Sequence, residues 1–263
     1  MNHAKVKTLP NRGEHGALSA LVSRYASAVD LHFSPTYSER VQLRNGMAVD
    51  LRLIRPDDKQ HLLRGFHELS STSRYLRFLV PKTSLSDREL RYLTEVDYRV
   101  HVAIAAATVP ADDSEEPRGL GIARLIALDH EPGHAEAAIA VRDDIQGQGL
   151  GSILFQRLVA AGRERGITHV CCEVLAHNAA MKDLISAIAP KHSLDVGGGV
   201  MTIVFPLDEH AMTATATAPT DEEASSDSTA TIPDLSWSPL QAFFTSLARG
   251  TMRLRELFIA PRS

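Results

Sequence analysis

Three glycines alternate with other residues in a short stretch of the chain, at Gly147, Gly149 and Gly151. An apolar run over residues 137–141 precedes them and predicts a β-strand, and apolar residues at helical spacing follow over residues 152–162. Glycine allows backbone N–H groups to approach a ligand closely, and the N-terminus of a helix carries partial positive charge. The pattern therefore predicts a binding site for a phosphate or pyrophosphate group.

This glycine-rich loop has two other interpretations. A dinucleotide-binding fingerprint has the spacing G-x-G-x-x-G directly after its strand. Here Ser152 takes the place of the third glycine and five residues separate Val141 from Gly147. Glu173 nevertheless lies about 20 residues further on, where a ribose-binding acid is expected. The simplest alternative is a glycine-rich turn that only caps a helix.

The spacing Q-x-x-G-x-G, formed by Gln146, Gly149 and Gly151, resembles the acetyl-CoA loop of the GNAT N-acetyltransferases. The surrounding segments follow the order of that family. They are a strand, the glycine loop, a helix, a second strand over residues 167–174, then Asn178, a helix and a closing hairpin.

The resemblance extends upstream. Residues 51–58 resemble the first strand of the GNAT fold running into its first helix. Residues 73–78, 85–90 and 92–98 resemble the corresponding segments of bacterial protein lysine acetyltransferases. The similarity covers residues 49–207. It implies an α+β fold, in which a mixed, mostly antiparallel central sheet is flanked by helices in a single GNAT-like domain.

Composition and periodicity divide the chain into four parts. Residues 1–48 are predicted to form an N-terminal extension with a short helix, and residues 49–207 the GNAT acetyltransferase domain. Residues 208–236 are rich in Ala, Thr, Ser, Asp and Glu, which predicts a disordered linker. Residues 237–263 predict a C-terminal amphipathic helix. We expect the helical extensions to dock on protein, and a homodimer through the terminal helices is one such arrangement.

The resemblance also implies which residues hold acetyl-CoA as co-substrate. The loop would hold the pyrophosphate, and backbone groups of the preceding strand would pair with the pantetheine. An Asn after the second strand would face the pantetheine or the neighbouring backbone. The expected acetyl-CoA-binding residues are Ile139, Val141, Gln146, Gly147, Gln148, Gly149, Leu150, Gly151, Ser152 and Asn178. The scattered histidines have no metal-ligand spacing, so no metal is expected.

Acetyl transfer to an amine requires a neutral nucleophile, and a lysine amine with a pKa near ~10.4 must first lose a proton. Glu136, at the start of the predicted strand, is the candidate general base, because GNAT enzymes commonly place a base on this strand. Its alternative interpretation is a surface residue at a hairpin end. Glu95 and Asp97 are the next candidates, followed by His101 and His134. His134 and Glu136 match the H-x-E of zinc deaminases, but no P-C-x-x-C follows.

One position departs from the family pattern. Many GNAT enzymes carry a Tyr general acid seven residues after the Asn, and Ile185 stands there in this chain. Either the thiolate leaves unaided, since thiols are more acidic than amines, or activity is reduced.

Composition limits the remaining possibilities. The formal net charge of -4 does not indicate a nucleic-acid partner. No apolar run is long enough for a transmembrane segment, and the N-terminus lacks the apolar region of a signal peptide. Cys171 and Cys172 are adjacent in a predicted strand, so their side chains point to opposite faces and are expected to be buried. These features predict a cytoplasmic protein.

The sequence as a whole therefore predicts an N-acetyltransferase that uses acetyl-CoA, with a protein lysine side chain as the expected acceptor. Two alternatives stay open. One is an acetyltransferase for a small-molecule amine. The other is a non-catalytic acyl-CoA-binding regulatory protein, which the absent tyrosine and the long extensions suggest.

Overall fold

The computed structural model describes residues 31–112, 114–129 and 131–207. The predicted N-terminal helix, the linker and the C-terminal helix lie outside the described residues, and so does the homodimer expected through the terminal helices. No helix in the described part of the chain combines the length and apolar character that a membrane crossing requires.

The described strands form a single mixed sheet. They are β1 (Ser38–Gln42), β2 (Ala48–Leu53), β3 (His101–Thr108), β4 (Gly119–Ala127), β5 (His134–Val141), β6 (His169–Leu175), β7 (Ser193–Gly197) and β8 (Val200–Pro206). Their spatial order is β1-β2-β3-β4-β5-β6-β8-β7. The β5–β6 pair is parallel, and the other neighbouring pairs are antiparallel. The mixed, mostly antiparallel sheet is confirmed, and the dinucleotide-binding interpretation is wrong, because that fold requires a mostly parallel sheet.

Helices cover both faces of the sheet. They are α1 (Lys59–Glu68), α2 (Ser71–Phe78), α3 (Asp87–Thr94), α4 (Leu150–Glu164) and α5 (Ala179–Ile188). On one face, Phe66, Phe78 and Leu93 from α1–α3 pack with Ile126 of β4. On the other face, α4 and α5 join the main hydrophobic cluster. The flanking helices expected from the sequence are therefore present.

Helix α3 begins where the local sequence predicts it. The Ser86 hydroxyl accepts a hydrogen bond from the Glu89 N–H at 3.3 Å, and the Glu89 carboxylate accepts one from the Ser86 N–H at 2.8 Å. This reciprocal pair is the capping box that Ser-x-x-Glu predicts. Lys82 lies 2.5 Å from the same carboxylate. Glu89 therefore has a structural role.

Strand β1 lies upstream of residue 49, where the sequence places the start of the domain. It pairs antiparallel with β2, from Ser38 opposite Arg52 to Gln42 opposite Ala48. The side chains of β1 are exposed or only partly buried, so the strand has no apolar pattern that marks it in the sequence.

Arg165 follows the C-terminal end of α4 and is 4% exposed. Its guanidinium donates hydrogen bonds to the carbonyls of Ala161 at 2.7 Å, Phe33 at 2.6 Å and Tyr98 at 2.8 and 3.0 Å. Burial lowers the pKa of Arg165 below its ordinary value, but arginine starts so high that the group stays charged. One side chain thus holds together three segments that are far apart in the sequence.

Replacing Arg165 with Met is expected to lower the free energy of unfolding by about 3 kcal/mol or more, because buried carbonyls that lose their donor cost about 1–3 kcal/mol each. Urea denaturation of the full chain measures this. The matched control is Arg91→Met on the exposed surface of α3, for which a change within about 0.5 kcal/mol is expected. Equal stability of the two variants would contradict this role for Arg165.

Candidate active site

The parallel strands β5 and β6 pair only near their beginnings. The paired residues are His134 with His169, Ala135 with Val170, and Glu136 with Cys171. Beyond Glu136, β5 continues beside β4 and β6 continues beside β8. The two strands therefore part and leave a cleft between their facing edges.

The pairing of β5 with β4 determines which backbone groups of β5 face this cleft. The carbonyl of His134 accepts from the N–H of Leu128, and the N–H of Arg142 donates to the carbonyl of Leu120, both at 2.9 Å. Backbone groups of alternate residues point to opposite edges of a strand. The N–H and C=O groups of Ile139 and Val141 therefore point into the cleft, at the edge predicted to pair with pantetheine. The Gln146 side chain donates to the Val141 carbonyl at 3.1 Å.

The glycine loop lies at the end of β5. A short 3-10 helix, Asp143–Ile145, carries the chain from the strand into the loop. Gly147 and Gly149 have φ of +75° and +90°, a region that favours glycine. Gly149 is the N-cap of α4 and provides no side-chain cap. The N–H groups of the first turn are thus left for a ligand or solvent.

The later loop residues divide into packing and exposed positions. Helix α4 begins at Leu150, two residues before the predicted start, and the Leu150 side chain is fully buried. A Cβ on Gly151 would lie 3.8 Å from Leu184 and 3.9 Å from Val141, so this residue packs on β5 and α5. Ser152 is partly exposed in the first turn. Leu150 and Gly151 can therefore contact a ligand only through their backbone groups.

Asn178 lies across the cleft, just beyond the end of β6. Its N–H donates to the Leu175 carbonyl at 2.8 Å, and its side-chain oxygen accepts from the Met181 N–H at 3.1 Å. Asn178 is therefore the N-cap of α5. Because β5 and β6 are parallel, Asn178 and the glycine loop lie at the same edge of the sheet. The binding role of Asn178 stays a prediction.

Glu136 lies at the last paired position of β5, where the cleft begins. It is 5% exposed and stands opposite Ile126 on β4, on the face covered by α1–α3. Burial lowers the pKa of Arg77 on α2 to about 10, and the nearby Glu136 carboxylate acts in the opposite direction. Burial together with the Glu136 charge raises the pKa of Tyr92 to about 12. Glu136 is thus a buried carboxylate, not the hairpin-end surface residue of the alternative interpretation.

The other candidate bases have structural partners. Asp97 accepts hydrogen bonds from three consecutive backbone N–H groups, those of residues 99–101, at 2.9 to 3.0 Å. Glu95 is the C-cap of α3 and pairs with Lys59 at 2.5 Å. His134 stacks on His169 with ring centroids 4.7 Å apart. These contacts give the three side chains structural roles, so no catalytic role is needed to explain where they lie.

His101 and Arg124 form a buried polar pair on the face that also holds Glu136. The Arg124 guanidinium contacts the His101 ring and donates to the Leu93 carbonyl at 2.6 Å. Burial keeps the pKa of His101 well below its ordinary value. Burial and the charge of Arg77 lower the pKa of Arg124 to about 9. Sequence reasoning missed Arg124, although a charged residue within the apolar strand β4 was a signal of buried polar contacts.

Ile185 occupies the position where many GNAT enzymes carry Tyr. Its side chain is fully buried in the main hydrophobic cluster. Ile185 is therefore a core residue.

The two cysteines on β6 are also packing residues. Cys171 and Cys172 are both buried and free, and burial raises the pKa of each thiol. Neither is suited to act as a thiolate nucleophile near neutral pH.

A cavity of about 350 Å³ lies between α1 and the sheet. Small residues such as Ala105, Ala107 and Ala140 line it, so the sheet surface does not fill the space below the helix. Arg77 and Arg124 also line it, whereas Glu136 and the loop over residues 146–152 do not. The cavity therefore reaches residues close to Glu136 but does not include the glycine loop.

Comparisons with known proteins agree with this architecture. A model of the acetyltransferase (GNAT) family matches residues 78–186. Acetyltransferase PA5475 of Pseudomonas aeruginosa is 32% identical over 146 residues, which are 56% of this chain and 76% of that protein. Acetyltransferase Pat of Mycolicibacterium smegmatis is 33% identical over 170 residues, which are 62% of this chain and 47% of that protein. This chain thus spans only about half the length of Pat.

A solved structure supports the same assignment. The GNAT domain of S. lividans PAT aligns with a TM-score of 0.58 and 27% identity, covering 66% of this chain and 99% of that one. The family model matches residues 78–186, and the relative PA5475 is 32% identical with 76% of its length covered. The chain therefore belongs to the GNAT family of acetyltransferases.

Proposed function

We propose that this acetyltransferase transfers the acetyl group of acetyl-CoA to a lysine side chain of a protein, with Glu136 as general base. The observation that carries the proposal is the parting of β5 and β6 directly after Glu136. The lysine acceptor is supported by the resemblance of the upstream segments to bacterial protein lysine acetyltransferases. The similarity to Pat and to the S. lividans PAT domain supports it further.

Acetyl-CoA would lie along the cleft. Its pyrophosphate would bind the loop over residues 146–152 and the free N–H groups at the start of α4. The amide-rich pantetheine would pair with the backbone of Ile139 and Val141, whose groups face the cleft. This orientation would bring the thioester toward the closed end of the cleft, where Glu136 lies.

The reaction transfers the acetyl group from sulfur to nitrogen, removes two protons from the lysine ammonium and returns one proton to the thiolate. Glu136 takes a proton from the lysine ammonium, directly or through a water molecule. The neutral amine attacks the thioester carbonyl, the C–N bond forms and the C–S bond breaks. Backbone N–H groups at the cleft edge stabilise the oxygen that becomes negative. As the thiolate leaves, the nitrogen loses its second proton to solvent and becomes the neutral amide. The thiolate leaves without help from a phenol, because Ile185 offers none, and then takes a proton from solvent. A thiol pKa near ~8.5 makes it a better leaving group than an amine.

A small-molecule amine is the second candidate acceptor, and the cavity below α1 is the observation that favours it. Its volume of about 350 Å³ lies within the range of small-ligand pockets. Arg77 and Arg124 in its lining would suit an acceptor that carries a carboxylate as well as an amine. Mass spectrometry of proteins incubated with the enzyme and acetyl-CoA distinguishes the candidates. The mass of those proteins increases by acetyl groups only if the acceptor is a protein. Stoichiometric acetyl-CoA binding without turnover on any amine would instead favour a non-catalytic protein.

Replacing Gly149 with Glu is expected to weaken acetyl-CoA binding by about 100-fold or more, because it brings a negative charge to the pyrophosphate site. Isothermal titration calorimetry measures the affinity, and circular dichroism checks the fold. Gly149→Ala is the matched control. This variant has the same backbone strain at a φ of +90° but adds no charge. It should therefore bind acetyl-CoA clearly more tightly than Gly149→Glu does. Unchanged affinity in a folded Gly149→Glu variant would remove the acyl-CoA assignment.

Replacing Glu136 with Gln is expected to leave acetyl-CoA affinity unchanged and to lower kcat by about 100-fold or more, the usual effect of losing a positioned base. Because more of the acceptor amine is already neutral at high pH, the deficit should shrink as pH rises toward the amine pKa. A pH profile of kcat measures this. Glu95→Gln serves as the control, since Glu95 is an exposed carboxylate that pairs with Lys59. Wild-type kcat in Glu136→Gln at neutral pH would exclude Glu136 as the base.

A further inference from the structure

The turn between β1 and β2 is held in a defined shape by its own hydrogen bonds. The Leu43 N–H donates to the Met47 carbonyl and the Gly46 N–H to the Leu43 carbonyl, both at 2.9 Å. The Asn45 side chain accepts from the Met47 N–H at 3.1 Å. Leu43 is 4% exposed and belongs to the main core cluster. The remaining turn residue, Arg44, is therefore presented from a fixed backbone.

Arg44 contacts the glycine loop, which is about a hundred residues away in the sequence. Its N–H donates to the Gln148 carbonyl at 3.1 Å, and its guanidinium donates to the Gly147 carbonyl at 3.3 Å. A Cβ on Gly149 would lie 3.6 Å from the Arg44 Nε. The guanidinium thus lies directly beside the loop at the N-terminal end of α4.

The Arg44 side chain has unused capacity to bind an anion. A guanidinium has five N–H donors in a planar fork that matches a phosphate group. Among the described residues, the Gly147 carbonyl is the acceptor for this side chain, and Arg44 makes no ion pair. Its neighbour on β1, Arg40, is instead paired with Asp50 at 2.7 Å. Arg44 is also exposed, so a ligand can reach it.

We propose that Arg44 binds the pyrophosphate of acetyl-CoA and completes the phosphate site from outside the predicted GNAT segment. This inference rests on the proposed function and adds a ligand residue to the same site. The loop and the start of α4 offer backbone N–H groups, partial charge and uncharged side chains, whereas Arg44 supplies a full positive charge. The pyrophosphate is assigned rather than the 3′-phosphate, because Arg44 contacts the loop residues that face the pyrophosphate in the proposed complex.

The test compares the full-length wild type with Arg44→Ala on three acetyl donors: acetyl-CoA, 3′-dephospho-acetyl-CoA and S-acetylpantetheine. We expect the KM for acetyl-CoA to rise about tenfold or more with kcat within about twofold, since charge-assisted hydrogen bonds are among the stronger ones. The 3′-dephospho donor should show the same rise, and S-acetylpantetheine no change. Arg40→Ala is the matched control in the same hairpin and should match wild type with all three donors.

Two further variants separate phosphate binding from simple ordering of the loop. Arg44→Lys keeps the charge and should retain most of the affinity. Arg44→Gln keeps a donor for the Gly147 carbonyl but loses the charge, and should behave like Arg44→Ala. The salt dependence of acetyl-CoA binding should be shallower for Arg44→Gln than for wild type. Thermal melting confirms that each variant is folded.

Wild-type affinity for acetyl-CoA in Arg44→Ala or Arg44→Gln would overturn the role of Arg44 and leave the proposed function intact. A defect that disappears with the 3′-dephospho donor would overturn the assignment to the pyrophosphate. Failure of the wild-type protein itself to bind acetyl-CoA would overturn the proposed function, and the Arg44 site with it.

Discussion

The short parallel pairing of β5 and β6 is the constraint on which the rest of the candidate site depends. The two strands are joined over three residue pairs that end at Glu136 and Cys171. Beyond that point each strand is held by its other neighbour, β4 or β8. The open edge of β5 leaves backbone N–H and C=O groups without a partner strand, and such groups require solvent or a ligand. The cleft therefore offers backbone groups of the kind with which an extended, amide-containing chain can pair.

The two ends of this cleft offer different charged groups. The open end combines the N-terminus of α4, two glycines with positive φ and the guanidinium of Arg44, all of which favour an anion. The closed end holds the Glu136 carboxylate below α2 and α3. Of these groups, only those of the closed end include a carboxylate, which lies beside the cations Arg77 and Arg124.

Three charged side chains cluster on the face of α1–α3, of which Arg124 and Glu136 are buried and Arg77 is partly buried. The charge of Glu136 acts on the pKa of Arg77, and the charge of Arg77 acts on the pKa of Arg124. All three charges act on the pKa of Tyr92, so these groups lie close together. Charges taken out of water are costly unless they are paired, and Arg124 is compensated by a carbonyl and by a neutral histidine. A lysine side chain that reaches Glu136 would pass from solvent into this cluster. Its long apolar stem suits such a path, because only the terminal amine has to meet the carboxylate.

Several features of this protein follow from local sequence alone. The glycine loop lies between a strand and a helix as its pattern predicts, because two of its positions require a backbone that glycine favours. The capping box at Ser86 and Glu89 sets the start of α3 through hydrogen bonds between near neighbours. The alternating direction of strand side chains separates Cys171 from Cys172. In each case the interacting groups lie within a few residues, so the sequence by itself determines the outcome.

Only the tertiary structure decided which distant residues meet. Strand β1 joins the sheet although its side chains carry no apolar pattern, because its place depends on backbone pairing with β2. Arg44 reaches the glycine loop through that hairpin, and Arg165 joins segments that are remote along the chain. Glu136 is buried because two helices from an earlier part of the chain pack over its strand. Such contacts depend on how whole elements pack, and no spacing within the sequence encodes that packing locally.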